Sequence, residues 1–216
     1  VTFGTIDALR ESLASPRPKR SPEYVARMLH EVPEAVVVDR AKFIVGRAEG
    51  KTVLDIGASG PIHEAVCQVA QKVYAIDRPP ENWASAAVPF DQDVKVVRYG
   101  IDLDFYGNHL PELEGVELVL LGEVLEHLSN PGWLLDRVRL AHPGVPVIVS
   151  VPNAFTEAGR RHLERDEMEN VNLDHVAWYS WRTLKTLVER AGYEVAEFYW
   201  YGGKPMFAEG LIFVLR

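Results

Sequence analysis

The chain of 216 residues has a single cysteine, Cys67, so no intramolecular disulfide can brace it. A lone thiol suits a reducing compartment. Long apolar runs are missing as well. A membrane-spanning helix takes about 20 consecutive apolar residues. The longest stretches here, such as Val145–Val151, are strand-sized and interrupted by proline. The N-terminal stretch Val1–Arg20 holds no apolar signal core, so the expectation is a cytoplasmic protein without a membrane span. Positive charge is in deficit: 23 Lys and Arg stand against 31 Asp and Glu, a net charge of −8. Sequence-independent nucleic-acid binding rests on neutralising phosphates, so this balance weighs against it. The short basic cluster Arg17-Pro18-Lys19-Arg20 reads as a solvated linker.

Two zones are visible along the chain. Residues 1–50 read as an N-terminal helical cap. Ser21-Pro22-Glu23 is a helix start, with serine as N-cap and proline in the first position. Val25, Met28 and Leu29 follow at helical spacing and need burial. Ala35–Gly46 reads as a packed helix. Residues 51–216 alternate strands with helices, the pattern of a mostly parallel sheet covered on both faces. The expected strands are Lys51–Ile56, Lys72–Asp77, Val94–Tyr99, Val116–Leu121, Val145–Val151, Tyr193–Tyr201 and Met206–Leu215. The clearest helices are Pro61–Gln71, Glu123–Leu140 and Ser180–Ala191. A turn at Gly202-Gly203-Lys204-Pro205 makes the last two strands a hairpin, so the final strand runs antiparallel.

Ligands in such a sheet bind outside the carboxyl ends of the strands. Three features fall there. Gly57-Ala58-Ser59-Gly60 follows the first strand, where small residues let backbone approach a ligand. Asp77 ends the second strand, 20 residues after Gly57, where a carboxylate can accept from both hydroxyls of a ribose. Asp102 lies just past the third. The loop does not read G-x-G-x-x-G, and no Tyr-x-x-x-Lys pair occurs, which disfavours a nicotinamide oxidoreductase. Asp55, at the end of the first strand, suits a cationic cofactor better than a diphosphate.

These residues resemble the class I S-adenosylmethionine (SAM) methyltransferases. The segment Leu54–Gly60 (LDIGASG) is similar to their motif I, and Tyr74–Asp77 (YAID) to their ribose-binding acidic motif. Glu123–Leu128 (EVLEHL), Pro152-Asn153, and the tail with His175, Tyr179-Ser180 and Ala191-Gly192-Tyr193 resemble one large branch. The likeness covers about residues 50–216 and implies a Rossmann-like, seven-stranded, mostly parallel sheet. Serine and proline stand at Ser59 and Pro61, where the family loop carries glycine. The resemblance implies that Asp55, Gly57, Ala58 and Gly60 line the methionine half of SAM. Asp77 would hold the ribose with Arg78 beside the adenine, and Asp102 and Leu103 would meet the adenine edge. Ser59 and Glu123 complete the expected cofactor side.

On the acceptor side, Glu123, Glu126 and His127 sit at i, i+3 and i+4, which would present all three on one helix face. His175 follows 48 residues after His127. Two carboxylates and two imidazoles form a ligand set for a divalent ion, Mg²⁺, Mn²⁺ or Zn²⁺. The pattern resembles the ubiquinone-biosynthesis O-methyltransferases and the small-RNA 3′-end 2′-O-methyltransferases. In the metal-free reading Glu123 favours the helix start, Glu126 is solvated, and His127 or His175 acts as a general base. The expected function is SAM-dependent O-methylation of a small hydroxylated metabolite, with Glu126, His127 and His175 as catalytic residues. The alternatives are a metal-dependent methyltransferase of RNA 3′ ends and a non-catalytic SAM-binding subunit. Arg160–Glu169, with His162, reads either as an acceptor lid or as a solvated helix. Trp178, Trp181 and Trp200 are either acceptor-flanking or core, and Cys67 reads as buried and inert.

Overall fold

The computed structural model describes residues 32–78, 89–92, 95–104, 109–169 and 171–216, and residues 34–216 form one compact unit. The helix start at Ser21-Pro22-Glu23, with Val25, Met28 and Leu29, lies outside the described residues. The elements in chain order are β1 (Val37–Val38), α1 (Arg40–Ala48), β2 (Thr52–Ile56), α2 (Gly60–Val69), β3 (Lys72–Asp77), β4 (Pro89–Gln92) and β5 (Val96–Gly100). There follow β6 (Leu118–Gly122), a 3-10 turn (Leu125–His127), α3 (Pro131–Ala141), β7 (Val147–Pro152), α4 (Glu157–Asp166), α5 (Trp181–Arg190), β8 (Val195–Tyr201) and β9 (Gly210–Leu215).

One sheet runs β1-β8-β9-β7-β6-β2-β3-β5-β4. Strands β2, β3, β5, β6 and β7 are mutually parallel, and β9 is antiparallel to both its neighbours. The Rossmann-like expectation holds, with two short strands added to the seven. β1 extends the sheet beside β8, in parallel. Its Val36-Val37-Val38 run is β-branched, which favours strand over the helix read there, and Asp39 then caps α1 by accepting from the Lys42 N–H at 3.0 Å. β4 pairs antiparallel with β5 at the far edge, beginning at a proline, which an edge strand tolerates.

Alternate residues of the strands serve opposite faces. Val53, Val73, Ala75, Leu118, Leu120, Ile148, Ile212 and Val214 join Ile44 and Ala48 of α1 and Val66 of α2 in one buried cluster. Leu54, Ile56, Leu121, Val149 and Phe213 are fully buried on the other parity, as are Leu134, Leu135 and Val138 of α3 and Leu184 and Val188 of α5. α1 is tied to the sheet edge by Arg47, whose guanidinium donates twice to Glu197 of β8, at 2.6 and 3.0 Å. That guanidinium, with the Tyr199 hydroxyl, holds the Glu197 carboxyl down at about 2. A depressed folded-state value adds stability above the ordinary carboxylate range and loses it as pH falls through that range toward 2. Both partners are about one-third exposed, so the effect is small. Arg47→Ala should lower stability at pH 7 by about 0.5–1 kcal/mol, and the difference from wild type should vanish near pH 2 in denaturant titrations.

Two local expectations are corrected. The long helix Glu123–Leu140 is broken. Glu123 takes φ +59°, Leu125–His127 forms a 3-10 turn, Leu128 is extended, and α3 begins afresh at Pro131. Asn130 caps it, accepting from the Trp133 N–H at 3.2 Å. The residue before a proline is pushed out of the helical region, so Asn130-Pro131 both stops one segment and starts the next. The hairpin turn is also longer than four residues: β8 ends at Tyr201 and β9 starts at Gly210. Gly210 is there for space. A Cβ on it would sit 2.1 Å from the Tyr201 ring, which is itself buried. Gly210→Ala should therefore destabilise the fold by about 1–3 kcal/mol, read as a lower denaturation midpoint, because a rigid ring must move.

Candidate active site

The chain leaves β2 for β3 and β5 on one side, then returns through β6 on the other. The carboxyl ends of β2 and β6 thus flank the point where strand order reverses, which is where such sheets bind ligands. A cavity of about 670 Å³ opens there, well within the range of cofactor sites. Gly57 forms part of its wall. It has φ +78°, and a Cβ on it would stand 2.4 Å from Val124 Cγ2, so only glycine lets the loop pass this close. The Gly57 and Ala58 N–H groups both donate to Ile76 O, at 2.8 and 3.1 Å, fixing the loop against β3.

Of the residues expected on the cofactor side, Gly57, Ser59, Asp77, Arg78, Asp102, Leu103 and Glu123 line this cavity. Asp77 accepts from the Arg78 N–H at 2.7 Å and Asp102 from the Asp104 N–H at 3.0 Å, so backbone orients both carboxylates. Ser59 precedes α2 without a side-chain cap bond, and the helix opens at Gly60-Pro61. Asp55, Ala58 and Gly60 are not on the wall. Asp55 is buried and turned toward α2, its Oδ2 2.7 Å from His63 Nδ1. Burial pushes its carboxyl upward, and the bond to His63 pulls it back. Cys67 is half-buried one helical turn on, its Sγ 3.5 Å from His63 Nε2, and burial raises its thiol.

Arg40 also lines the cavity, although nothing in the motifs singled it out. Its Nη2 lies 3.8 Å from Glu123 Oε1, and its guanidinium sits 5.4 Å from the centre of the Tyr201 ring. The Tyr201 hydroxyl donates to the same Glu123 oxygen at 2.8 Å. The helix expected over Ala35–Gly46 places Arg40 in mid-helix, which hides it. Arg40 is the first residue of α1, where a cation opposes the helix dipole, so its place calls for another partner.

The acceptor-side residues meet for a different reason than shared helix spacing. The Val176 and Ala177 N–H groups both donate to Glu126 O, at 2.8 and 3.2 Å, and the Tyr179 hydroxyl donates to Leu125 O at 3.1 Å. These bonds lash the segment 175–179 onto the 3-10 turn. His127 and His175 then stand edge to face, with ring centres 4.6 Å apart. One ligand atom each from Glu126, His127 and His175 lies within 4.8 Å of the others. Glu123 is not gathered with them. It faces Arg40 and Tyr201 instead. Glu126 is 1% exposed, and neither carboxylate oxygen has a hydrogen-bond partner among the described residues. Burial, with Glu123 nearby, pushes its carboxyl up to about 8. Burial and the neighbouring His127 lower His175. A buried carboxylate without partners, beside imidazoles, is the donor chemistry of a divalent cation site.

A family described as a methyltransferase domain matches residues 27–197. The chain belongs to this family. It is a class I SAM-dependent methyltransferase. No curated protein matches the chain by sequence. Among solved structures, the small RNA methyltransferase HEN1 superposes with TM-score 0.62 at 19% identity, over 87% of this chain but 27% of that one. The chain thus spans about a quarter of that relative's length. A SAM-dependent methyltransferase from Mesorhizobium loti gives 0.56 at 15% identity, over 82% and 95%. The N-methyltransferase NodS from Bradyrhizobium japonicum WM9, in complex with S-adenosyl-L-homocysteine, gives 0.51 at 17%, over 97% and 96%. At these identities the likeness shows the fold alone. No helix among the described residues is long and apolar enough to cross a membrane.

The remaining residues noted in the sequence are dispersed around this methyltransferase site. α4 has no buried residue and is laced by side-chain pairs within itself, among them the Arg160–Glu164 ion pair and the contact of His162 Nδ1 with Asp166 Oδ2 at 3.0 Å. Trp178 is half exposed, whereas Trp200 is buried and the ring of Trp181, the first residue of α5, is centred 6.4 Å from that of Phe198.

Proposed function

We propose that this methyltransferase moves the methyl group of SAM onto a hydroxyl oxygen of a small metabolite, with Glu126, His127 and His175 holding a divalent cation. One observation carries the reading: His127 lines the cofactor cavity, His175 lines a second, smaller cavity, and with the orphaned Glu126 carboxylate the two form a single cluster. A mixed carboxylate–imidazole set favours Mn²⁺ or Zn²⁺ over Mg²⁺, which prefers oxygen and water. The cation, when bound, would take two neighbouring acceptor oxygens and lower the pKa of the attacking hydroxyl.

The chain's own residues supply the rest. Asp77 and Asp102 orient the adenosine end of SAM, and Asp104, Glu123 and Asp174, on the same cavity wall, add negative charge for the cationic sulfonium. Glu123 is held in place by the Tyr201 hydroxyl. In the displacement the acceptor oxygen forms a bond to the methyl carbon, the carbon–sulfur bond breaks, and its electron pair stays on the sulfur of S-adenosylhomocysteine. The acceptor proton passes to solvent. Positioning of donor carbon and acceptor oxygen at near-attack distance supplies much of the rate. The test is a panel of hydroxylated metabolites with methyl-labelled SAM, run with and without chelator. Label should enter an O-methyl product only in the chelator-free arm. Transfer to nitrogen or carbon acceptors alone would defeat the reading, and transfer to RNA 3′ ends alone would replace the small-metabolite acceptor.

A further inference from the structure

The second cavity, about 300 Å³, lies between α4 and residues 171–178, with His175 on its wall. Three of its polar side chains already have partners. Asn153 Nδ2 donates to Met206 O and Ala208 O, both at 3.0 Å, and its Oδ1 accepts from the Phe155 N–H at 3.2 Å. Thr156 Oγ1 accepts from the Gly159 N–H at 3.0 Å, and Asn172 Oδ1 from the Asp174 N–H at 3.2 Å. Apart from His175 and Glu209, what remains for a ligand is mostly hydrocarbon: Ala158, Leu163, Val171, Ala177 and Trp178. Leu163 is 48% exposed and Trp178 45% exposed, so both would lose water contact when the cavity fills. The wall carries Glu209, and no lysine or arginine is among the described residues that line it.

We infer that this cavity takes the non-reacting body of the methyl acceptor, and that this body is compact, uncharged and apolar. The inference rests on the metal-dependent reading above, because His175 is the wall shared by the cavity and the ligand cluster. An acceptor seated here, with two adjacent oxygens at one end, reaches the cluster past His175 while its hydrocarbon lies against Leu163 and Trp178. A nucleic-acid end fits poorly. Its phosphates need cations, and this wall offers them a carboxylate. The volume is at the lower limit of ligand sites and suits a single ring with a short substituent.

The test uses the full chain loaded with Mn²⁺ and S-adenosylhomocysteine. Catechol and its 4-methyl, 4-ethyl and 4-propyl derivatives are titrated by calorimetry. Affinity should climb about fourfold per added carbon until the cavity is full. Ala158→Trp fills the cavity from α4, a helix with no buried residue, so the fold should tolerate it. In that variant the climb should vanish, while Mn²⁺ and S-adenosylhomocysteine bind as before. Adenosine 5′-monophosphate, a charged diol, should bind at least tenfold more weakly than 4-propylcatechol. A flat wild-type series, a climb that survives Ala158→Trp, or tight nucleotide binding weakened by that substitution would each overturn the inference. The metal reading fails separately: if Mn²⁺ alone gives no binding to wild-type protein, that reading falls and takes this one with it.

Discussion

His127→Ala and His175→Ala should each lower turnover on the true acceptor by on the order of a thousandfold, equivalent to several kcal/mol of lost transition-state stabilisation. Chelator should do the same to the wild type, and it should add nothing to either variant. The reason is that all three changes remove one thing. The two imidazoles and the Glu126 carboxylate converge within 4.8 Å, and Glu126 has no hydrogen-bond partner among the described residues. SAM binding should change far less than turnover, because the adenosine-side carboxylates Asp77 and Asp102 come from the end of β3 and just past β5, whereas His127, although on the same cavity wall, comes from the turn after β6. Kinetics of the wild type and both variants, each with and without chelator, with SAM affinity measured alongside, check the expectation.

A histidine acting alone as general base predicts a different pattern. Chelator would then be harmless, and one imidazole would matter far more than the other. His175, lowered by burial and by His127, would lose its proton below the ordinary imidazole range, so activity would rise through acidic pH and level off before neutrality. Full activity in excess chelator would leave that account standing and remove the metal.

The main sheet was legible because its strands are short apolar runs bounded by glycine, proline and charge. Asp77 and Asp102 were legible because they punctuate those runs at their carboxyl ends. The short edge strands were not. Two residues at Val37–Val38 carry no periodicity, and their pairing with Trp200 and Tyr201 comes from a segment more than 160 residues away. The EVLEHL segment misled in an instructive way. Its i, i+3, i+4 spacing is helical, but Asn130-Pro131 a few residues on is a stop and a start, and the turn before it is 3-10. His127 and His175 still meet, through backbone bonds from Val176 and Ala177 to Glu126 that no side-chain pattern announces. Asp55 was read toward the cofactor because of its strand end, whereas strand parity turns it to His63. Arg40 was not legible, because the helix read over Ala35–Gly46 placed it mid-helix and the structure starts that helix at Arg40.

Asp77→Ala should weaken SAM and S-adenosylhomocysteine alike, by about 1.5–3 kcal/mol, or roughly ten- to 150-fold in Kd. The carboxylate stands at the last residue of β3, on the cavity wall, with the Arg78 N–H donating to its Oδ1. Among the described residues that is the one bond to this carboxylate, which leaves Oδ2 and further acceptor capacity for two ribose hydroxyls, as charge-assisted hydrogen bonds. The two ligands share the ribose and differ in the charge on sulfur, so loss of the ribose contact must affect both equally. Asp77→Asn separates the parts of the effect. It keeps the shape and one acceptor oxygen but removes the charge, and should lie between wild type and alanine. Calorimetry on both ligands and both variants decides. A variant that weakened SAM while sparing S-adenosylhomocysteine would assign Asp77 to the sulfonium instead, since charge on sulfur is the property that only SAM would then be losing a partner for.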